Sequence, residues 1–352
     1  MRFHLEENMR LREELGNTIM DMLKEGKNPL DGFYASEDTI EAVLAVVISG
    51  RHLLLEGPPG TGKTTLARLL ANCLGPMEVV KGCRYNCSPQ SPQCWNCISN
   101  SRELFPSIVS GNQRFVRVQG SPELMPEDLL GDIDPVVAMQ CGIHDPRAFS
   151  PGQIHRAHRK ILFIDELNRI PERTQNTLIQ VLEEGTTTIA GFDMNITVDT
   201  MVIATQNPQE YAGAERISET LGDRFERIPI GYPDEEQEEA ILRRYARKST
   251  GISCDDEMIS KLIKISQSTR NNEDISRPAS VRATIAIFEQ AQAIAKLRGR
   301  KNVIQDDVRK AALICLRGRT EISPGSPYYE NPAAKFDQII EEGLDEDMWE
   351  SS

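Results

Sequence analysis

The chain contains 352 residues, of which 39% are hydrophobic and 26% are charged. This length exceeds what a single hydrophobic core usually fills, so we expect two domains, and the composition excludes bulk disorder. The formal net charge of −13 argues against a protein whose main partner is nucleic acid or an anionic membrane.

The N-terminus lacks a basic start followed by an apolar core, and no stretch approaches the roughly 18 apolar residues that span a membrane. These absences predict a cytoplasmic protein that does not insert into a membrane. In that reducing compartment we expect the eight cysteines to be thiols or metal ligands and not disulfides.

The first 35 residues are predicted to form a helical N-terminal extension, with one amphipathic helix that runs to about residue 27. Asn28 and Pro29 interrupt this pattern. A second helix begins near Ser36, which has the chemistry of an N-cap, and it starts the first predicted domain, residues 36–232.

A glycine-rich stretch follows an apolar run and precedes a helical pattern that begins near Thr65. Glycines bring backbone N–H groups close to phosphate oxygens, and the N-terminus of the following helix adds a partial positive charge. The Lys63 ammonium would reach the β- and γ-phosphates, and the Thr64 hydroxyl would coordinate Mg²⁺. A simple glycine-rich turn is the alternative. The predicted phosphate-binding residues are Gly57, Pro58, Pro59, Gly60, Thr61, Gly62, Lys63, Thr64 and Thr65.

A cysteine-rich insertion at about residues 81–100 contains two close pairs, Cys83 with Cys87 and Cys94 with Cys97. Each pair can place two sulfurs on one ion, and the spacer between the pairs can fold back to join them. We interpret the four cysteines first as a structural zinc site. Another metal, a redox pair and unliganded thiols are the alternatives.

Two carboxylates, Asp165 and Glu166, end the apolar run at residues 161–164. Ligands bind at the carboxyl ends of the strands in open α/β sheets, so a buried strand that ends in two acids suggests a site. Asp165 would hold Mg²⁺, directly or through water, and Glu166 would polarise the attacking water. An ordinary start of a loop is the alternative.

Two further polar residues follow later strands and helices. Asn207 ends another buried strand and could orient water or sense the γ-phosphate, although asparagine before proline is also a common turn former. Arg224 either forms a surface ion pair with Asp223 or Glu226 or neutralises charge at the nucleotide of a neighbouring chain.

The character of the chain changes at about residue 234. Helical patterns without further buried strands predict a second, all-helical domain over residues 233–320. Residues 321–352 contain several prolines and an acidic end, which predicts a flexible acidic tail. A docking peptide for a partner is the alternative for this tail.

Several of these stretches together resemble one family, the MoxR and magnesium-chelatase I-subunit branch of the AAA+ ATPases. The similar stretches are residues 57–64, 161–169, 204–208 and 223–225, with residues 281–300 similar to the lid of that branch. The resemblance covers roughly residues 36–318. It implies an α/β fold with a P-loop NTPase core, a parallel five-stranded sheet and a C-terminal helical lid. It also implies that residues 131–152 are the helix-2 insertion and residues 187–198 the pre-sensor-1 hairpin.

The resemblance also implies roles for single residues and partners for the chain. ATP would lie at the subunit interfaces of a ring, a hexamer in this branch, and the usual partner is a protein with a metal-binding von Willebrand factor A domain. The implied roles are Walker A for Lys63 and Thr64, Walker B for Asp165 and Glu166, sensor 1 for Asn207, arginine finger for Arg224 and sensor 2 for Arg282.

We therefore expect an Mg²⁺-dependent ATP hydrolase that forms a ring and remodels or activates a partner protein, or drives metal insertion. The motifs at Asp165–Arg169 and 204–208 are nearer MoxR proteins, whereas the cysteine insertion resembles one in some chelatase I subunits, so both roles stay open. The alternatives are a nucleic-acid-translocating AAA+ motor and a non-hydrolysing nucleotide switch or scaffold.

Overall fold

The computed structural model describes residues 10–189, 194–207 and 217–345. The chain divides into two compact units. The first consists of the chain up to Gly57 together with Gly62–Ile230, and the second consists of Pro58–Thr61 together with the chain from Gly231. No helix in the described part of the chain is long and apolar enough to cross a membrane.

The first unit contains nine α-helices, three short 3₁₀-helices and eleven strands among its described residues. The helices are α1 Leu11–Lys24, α2 Glu37–Ile48, α3 Lys63–Asn72, α4 Trp95–Ser99, α5 Pro126–Leu130, α6 Pro135–Cys141, α7 Gln153–Arg156, α8 Glu172–Glu184 and α9 Glu219–Gly222. The strands are β1 His52–Glu56, β2 Met77–Val80, β3 Pro106–Val109, β4 Phe115–Gln119, β5 Gly131–Ile133, β6 Phe149–Pro151, β7 Lys160–Asp165, β8 Thr186–Ile189, β9 Met194–Thr197, β10 Thr200–Gln206 and β11 Phe225–Pro229.

Five of these strands form the predicted parallel five-stranded sheet, and their order is β11-β1-β10-β7-β4. Leu53 and Leu55 face α1, α2 and α3, whereas Leu54 faces the opposite side, where α8 packs. Because both faces are covered by helices, the central strands are almost uniformly apolar. The polar residues therefore lie at the strand ends.

Three antiparallel pairs project from this core, β2 with β3, β5 with β6, and β8 with β9. The cysteine insertion joins β2 to β3, and α4 lies within it. The predicted irregular insertion at 131–152 is the β5–β6 pair with α6 between its strands. The predicted hairpin at 187–198 is the β8–β9 pair, although its turn at 190–193 lies outside the described residues.

The first predicted helix is present in the described part of the chain as α1. It begins at Leu11 and ends at Lys24, and residues 1–9 of the prediction lie outside the described residues. The second helix starts as predicted, because the Ser36 hydroxyl accepts a hydrogen bond from the Thr39 N–H.

Among its described residues the second unit is helical apart from one short pair of antiparallel strands, which was not predicted. Its helices are α10 Glu235–Tyr245, α11 Asp256–Ser268, α12 Val281–Leu297, α13 Gln305–Arg319 and α14 Pro332–Leu344, and its strands are β12 Ile275–Arg277 and β13 Glu321–Ile322.

The prediction of a flexible tail from residue 321 is wrong over Pro332–Leu344. This stretch forms α14, and its apolar side chains are buried in the core of the second unit together with those of α11 and α13. Their spacing places them on one helical face, which the acidic residues between them obscured. The buried residues that carry this correction are Phe336, Ile339, Ile340 and Leu344.

Candidate nucleotide-binding site

The predicted phosphate loop joins β1 to α3. A Cβ at Gly57 would lie 2.0 Å from the carbonyl oxygen of Ile230, so only glycine fits there. Gly62 has a φ of 87° and is the N-cap of α3, a backbone conformation that favours glycine. The glycines at these two positions are thus required by the backbone.

Lys63 is the first residue of α3, and its side chain is 7% exposed. Its Nζ donates to the carbonyl oxygen of Gly57 at 2.7 Å, so the ammonium folds back over the loop. Thr64 and Thr65 follow in the first turn, where the helix N-terminus carries partial positive charge. A cation, a hydroxyl and the N-terminus of a helix at one loop suit a phosphate chain.

The middle of the loop belongs to the second unit. Gly60 has a φ of 84°, and a Cβ there would lie 2.8 Å from the Cβ of Ser280 and 3.8 Å from the Cγ of Arg282. Thr61 donates its hydroxyl to the Pro58 carbonyl at 3.1 Å. Arg282, the predicted sensor 2 residue, is the second residue of α12 and lies beside Gly60.

The predicted carboxylates lie at the carboxyl end of β7. Asp165 accepts a hydrogen bond from the Thr205 hydroxyl at 2.8 Å and forms an ion pair with Arg117 at 2.6 Å. Both Asp165 oxygens are oriented by these contacts. Carboxylate and hydroxyl oxygens are also the ligands that Mg²⁺ prefers, so Thr64 and Asp165 fit its chemistry.

Glu166 has a φ of 57°, an uncommon conformation for a residue with a side chain. The Asn207 amide donates to its Oε1 at 3.0 Å, and Gln119 donates to its Oε2 at 3.2 Å. Arg169 forms an ion pair with the same Oε2 at 3.0 Å. Asn207 therefore contacts the predicted catalytic carboxylate, while Pro208 lies outside the described residues.

Three polar neighbours of this site, Thr205, Arg117 and Gln119, had no predicted role. Thr205 is 1% exposed and also accepts the Glu166 N–H at 2.9 Å. Their position near the ends of β10 and β4 is the sequence feature from which these residues could have been predicted. The register pairs Gln119 with Asp165, but the sequence alone does not give this register.

Arg224 follows α9 and forms an ion pair with Glu183 of α8 at 2.5 Å. It also donates to the Thr220 carbonyl. The ion-pair alternative had named Asp223 or Glu226 as the partner, so that detail is wrong. The Arg224 side chain is 23% exposed.

The four predicted metal-binding cysteines lie together in the insertion between β2 and β3. Their sulfur atoms are within 4.8 Å of one another; Cys87, Cys94 and Cys97 are buried and Cys83 is partly buried. Hydrogen bonds with the Cys87 and Cys94 side chains lower the pKa of the Cys83 thiol.

Family models match three parts of the chain. Residues 53–106 and 104–227 each match a model described as "ATPase family associated with various cellular activities (AAA)", and residues 267–342 match the AAA lid domain. The lid match extends over α13 and most of α14. The three matches together follow the predicted order of core and lid.

Three curated relatives are similar over most of their length. Uncharacterized protein YeaC of Bacillus subtilis is 28% identical over 86% of this chain and 84% of its own. The magnesium-chelatase subunit ChlI homolog of Methanocaldococcus jannaschii is 26% identical over 82% and 84%. Chaperone MoxR1 of Mycobacterium tuberculosis is 26% identical over 80% and 71%. The chain is a member of the AAA+ ATPase family and is of the MoxR and magnesium-chelatase I-subunit-like type.

Proposed function

We propose that this protein binds ATP with Mg²⁺ and hydrolyses its terminal phosphoanhydride bond. The observation that carries the proposal is the contact of Asn207 with Glu166, at the sheet edge where the phosphate loop begins. The loop follows β1, and β10 separates β1 from β7. Neighbouring strands lie about 4.8 Å apart, so the end of β1, where the loop begins, is about 10 Å from the end of β7, which carries the carboxylates.

Each residue at this edge has one task in the proposal. Lys63 holds the β- and γ-phosphates, and Thr64 and Asp165 hold Mg²⁺, which would neutralise phosphate charge. Glu166 takes the proton of the attacking water, and Asn207 fixes the position of that carboxylate. A module that only binds nucleotide does not need Glu166 and Asn207 in contact, which favours hydrolysis over the switch.

Two substitutions separate binding from hydrolysis. Lys63→Ala should weaken ATP binding by about 10- to 100-fold, because it removes a charge-assisted hydrogen bond. Glu166→Gln should keep ATP binding and lower turnover by about 10²- to 10⁴-fold. Glu172→Gln, at an exposed position at the start of α8, is the control for loss of a surface acid.

The measurements are ATP affinity by calorimetry and phosphate release with and without Mg²⁺. Equal turnover in the wild type and Glu166→Gln would contradict the assigned role of Glu166. Tight ATP binding with no phosphate release by the wild type alone or with a partner would favour the nucleotide switch.

The same proposal includes the roles of two arginines and the arrangement of the subunits. Arg224 acts as a finger at the nucleotide of a neighbouring chain, Arg282 acts as sensor 2, and identical chains form a ring, with six subunits as the expected number. The domain limits are also part of the proposal, with a core over 36–232 and a lid that begins at 233 and includes α14.

The proposed task of hydrolysis is to remodel or activate a partner protein or to drive metal insertion. The relatives named as a MoxR chaperone and as magnesium-chelatase subunits support this class of task. A protein with a von Willebrand factor A domain is the proposed partner. ATPase stimulation by such a protein would support it, whereas stimulation by DNA alone would favour the nucleic-acid motor.

A further inference from the structure

The cysteine insertion at residues 81–105 contributes no residue to the nucleotide site, so its chemistry needs a separate account. We infer that Cys83, Cys87, Cys94 and Cys97 bind a single Zn²⁺ ion as four thiolates. The site would be structural, because all four positions of a tetrahedral ion would be taken by protein ligands.

The spacing of the sulfur atoms fits one ion. A zinc–sulfur distance of about 2.3 Å gives a tetrahedron with edges of about 3.8 Å. The Sγ atoms of Cys83 and Cys94 are 3.8 Å apart, and all four lie within 4.8 Å of one another. The chain thus already holds the sulfurs at nearly the separation that the ion requires.

The same spacing argues against a disulfide and against an iron–sulfur cluster at these cysteines. A disulfide needs about 2.05 Å between sulfurs, and the four cysteines are free thiols in the structure. In an iron–sulfur cluster with several irons the thiolates bind different iron atoms, which separates them more widely than one shared ion does.

Backbone hydrogen bonds fix the position of the Cys87 sulfur. The N–H groups of Gln93 and Cys94 both donate to it, each at 3.3 Å. Such N–H donors are usual around metal-bound ligands, so they suit Cys87 as a ligand of the ion.

The insertion also lacks an ordinary hydrophobic core. Its buried cluster consists of Val80 and three of the cysteines, with Cys83, Tyr85 and Leu104 partly buried around them. So few apolar side chains do not hold a segment of this length in one conformation, and small folds with this deficit use a metal or disulfides. Zinc supplies the missing stabilisation.

The metal would also fix one contact with the core. Asn86, between the two ligands of the first pair, has a φ of 51°. Its amide donates to the Arg156 carbonyl at 2.8 Å and to the His158 carbonyl at 3.3 Å. These carbonyls precede β7, so the site positions the entry to the strand that ends in Asp165.

The first test measures metal on the full-length protein, purified under reducing conditions after expression with zinc. We expect one zinc per chain by elemental analysis, and less than about a tenth of that in Cys87→Ser, because one lost thiolate opens the tetrahedron. Cys141→Ser, on α6 outside the cluster, is the matched control and should keep the zinc of the wild type.

Cobalt replacement keeps the proposal testable if Cys87→Ser does not fold. Wild-type protein exchanged into Co²⁺ should show thiolate-to-cobalt charge transfer and the intense visible bands of tetrahedral coordination. Wild-type protein without stoichiometric zinc and without these bands would overturn the proposal, and so would stoichiometric iron at the cysteines.

Hydrogen exchange then tests the structural role without measuring ATPase activity. Zinc removal should speed amide exchange in residues 83–97 and 156–159 and leave the phosphate loop unchanged. Metal content and exchange are independent of turnover, so failure here would leave the ATPase proposal standing. Unchanged exchange after complete zinc loss would overturn the structural role.

Discussion

Glu166 has four neighbours that restrain it, and Thr205 is the most buried of them. The Thr205 hydroxyl bridges the two acidic residues, since it donates to Asp165 and accepts the Glu166 N–H. One hydroxyl therefore sets both the orientation of Asp165 and the unusual backbone of Glu166. Thr205 is therefore a positioning residue.

Thr205→Val should keep the shape of the side chain and lose both hydrogen bonds. Because the Glu166 N–H is left without its acceptor, we expect the free energy of unfolding of the first unit to fall by about 1–3 kcal/mol. Denaturant unfolding measures this change. Thr177→Val, whose hydroxyl contacts only a carbonyl of its own helix, is the control, and an equal loss in both variants would contradict the bridge.

The sequence predicted Lys63, Asp165, Glu166 and Asn207 because each belongs to a local motif. It did not predict Thr205, Arg117 or Gln119, because their role depends on which strands are neighbours and on the register between them. Local patterns identify the ends of strands, but the sheet order brings particular ends together.

His52, at the start of β1, predicts a pH dependence of stability. Burial and then the charge of Arg12 lower the pKa of His52 to about 3. Its Nδ1 accepts the Val202 N–H at 3.0 Å, so the folded state needs the neutral ring. As pH falls below about 6.5 the unfolded chain takes up a proton and the folded chain does not, so stability is lost.

We expect His52 to contribute a loss of about 1.4 kcal/mol per pH unit between pH 6.5 and its folded pKa. The measurement is the free energy of unfolding at several pH values. In His52→Asn this part of the slope should be absent, whereas His144→Gln, at an exposed position, should keep it. A slope that is unchanged in His52→Asn would contradict the account.

At the scale of elements, α14 shows how composition can mislead. The acidic residues and prolines of the C-terminal region are typical of a solvated tail, yet Phe336, Ile339 and Ile340 are buried with the other helices of the second unit. The pattern is helical, but it does not show that the partners are α13, the preceding helix, and α11, which lies more than 60 residues earlier. The β12–β13 pair escaped prediction because each strand has at most three residues.

Ile339→Ala should lower the free energy of unfolding of the second unit by about 2–5 kcal/mol, because it leaves a cavity against buried neighbours. Asp337→Ala, exposed on the same helix, should have little effect. Calorimetry follows the unfolding transition of this unit. Equal stability of the two variants would mean that α14 does not belong to the core of this unit.

In the whole molecule, we propose that one chain supplies Lys63 and Glu166 while its neighbour supplies Arg224. Arg224 is held by Glu183 and lies at the surface of its own unit. The ring therefore predicts that turnover per chain rises with protein concentration, and that Arg224→Ala lowers turnover by about 10³- to 10⁵-fold without preventing ATP binding.

The shared site is tested most directly by mixing two impaired variants, Lys63→Ala and Arg224→Ala, and measuring phosphate release from ATP. At a mixed interface the Arg224→Ala chain supplies an intact Lys63 and the Lys63→Ala chain supplies an intact Arg224. We expect phosphate release, which is low for either variant alone, to rise on mixing. If the wild type is active and the mixture stays inactive although the chains associate, the shared active site is contradicted.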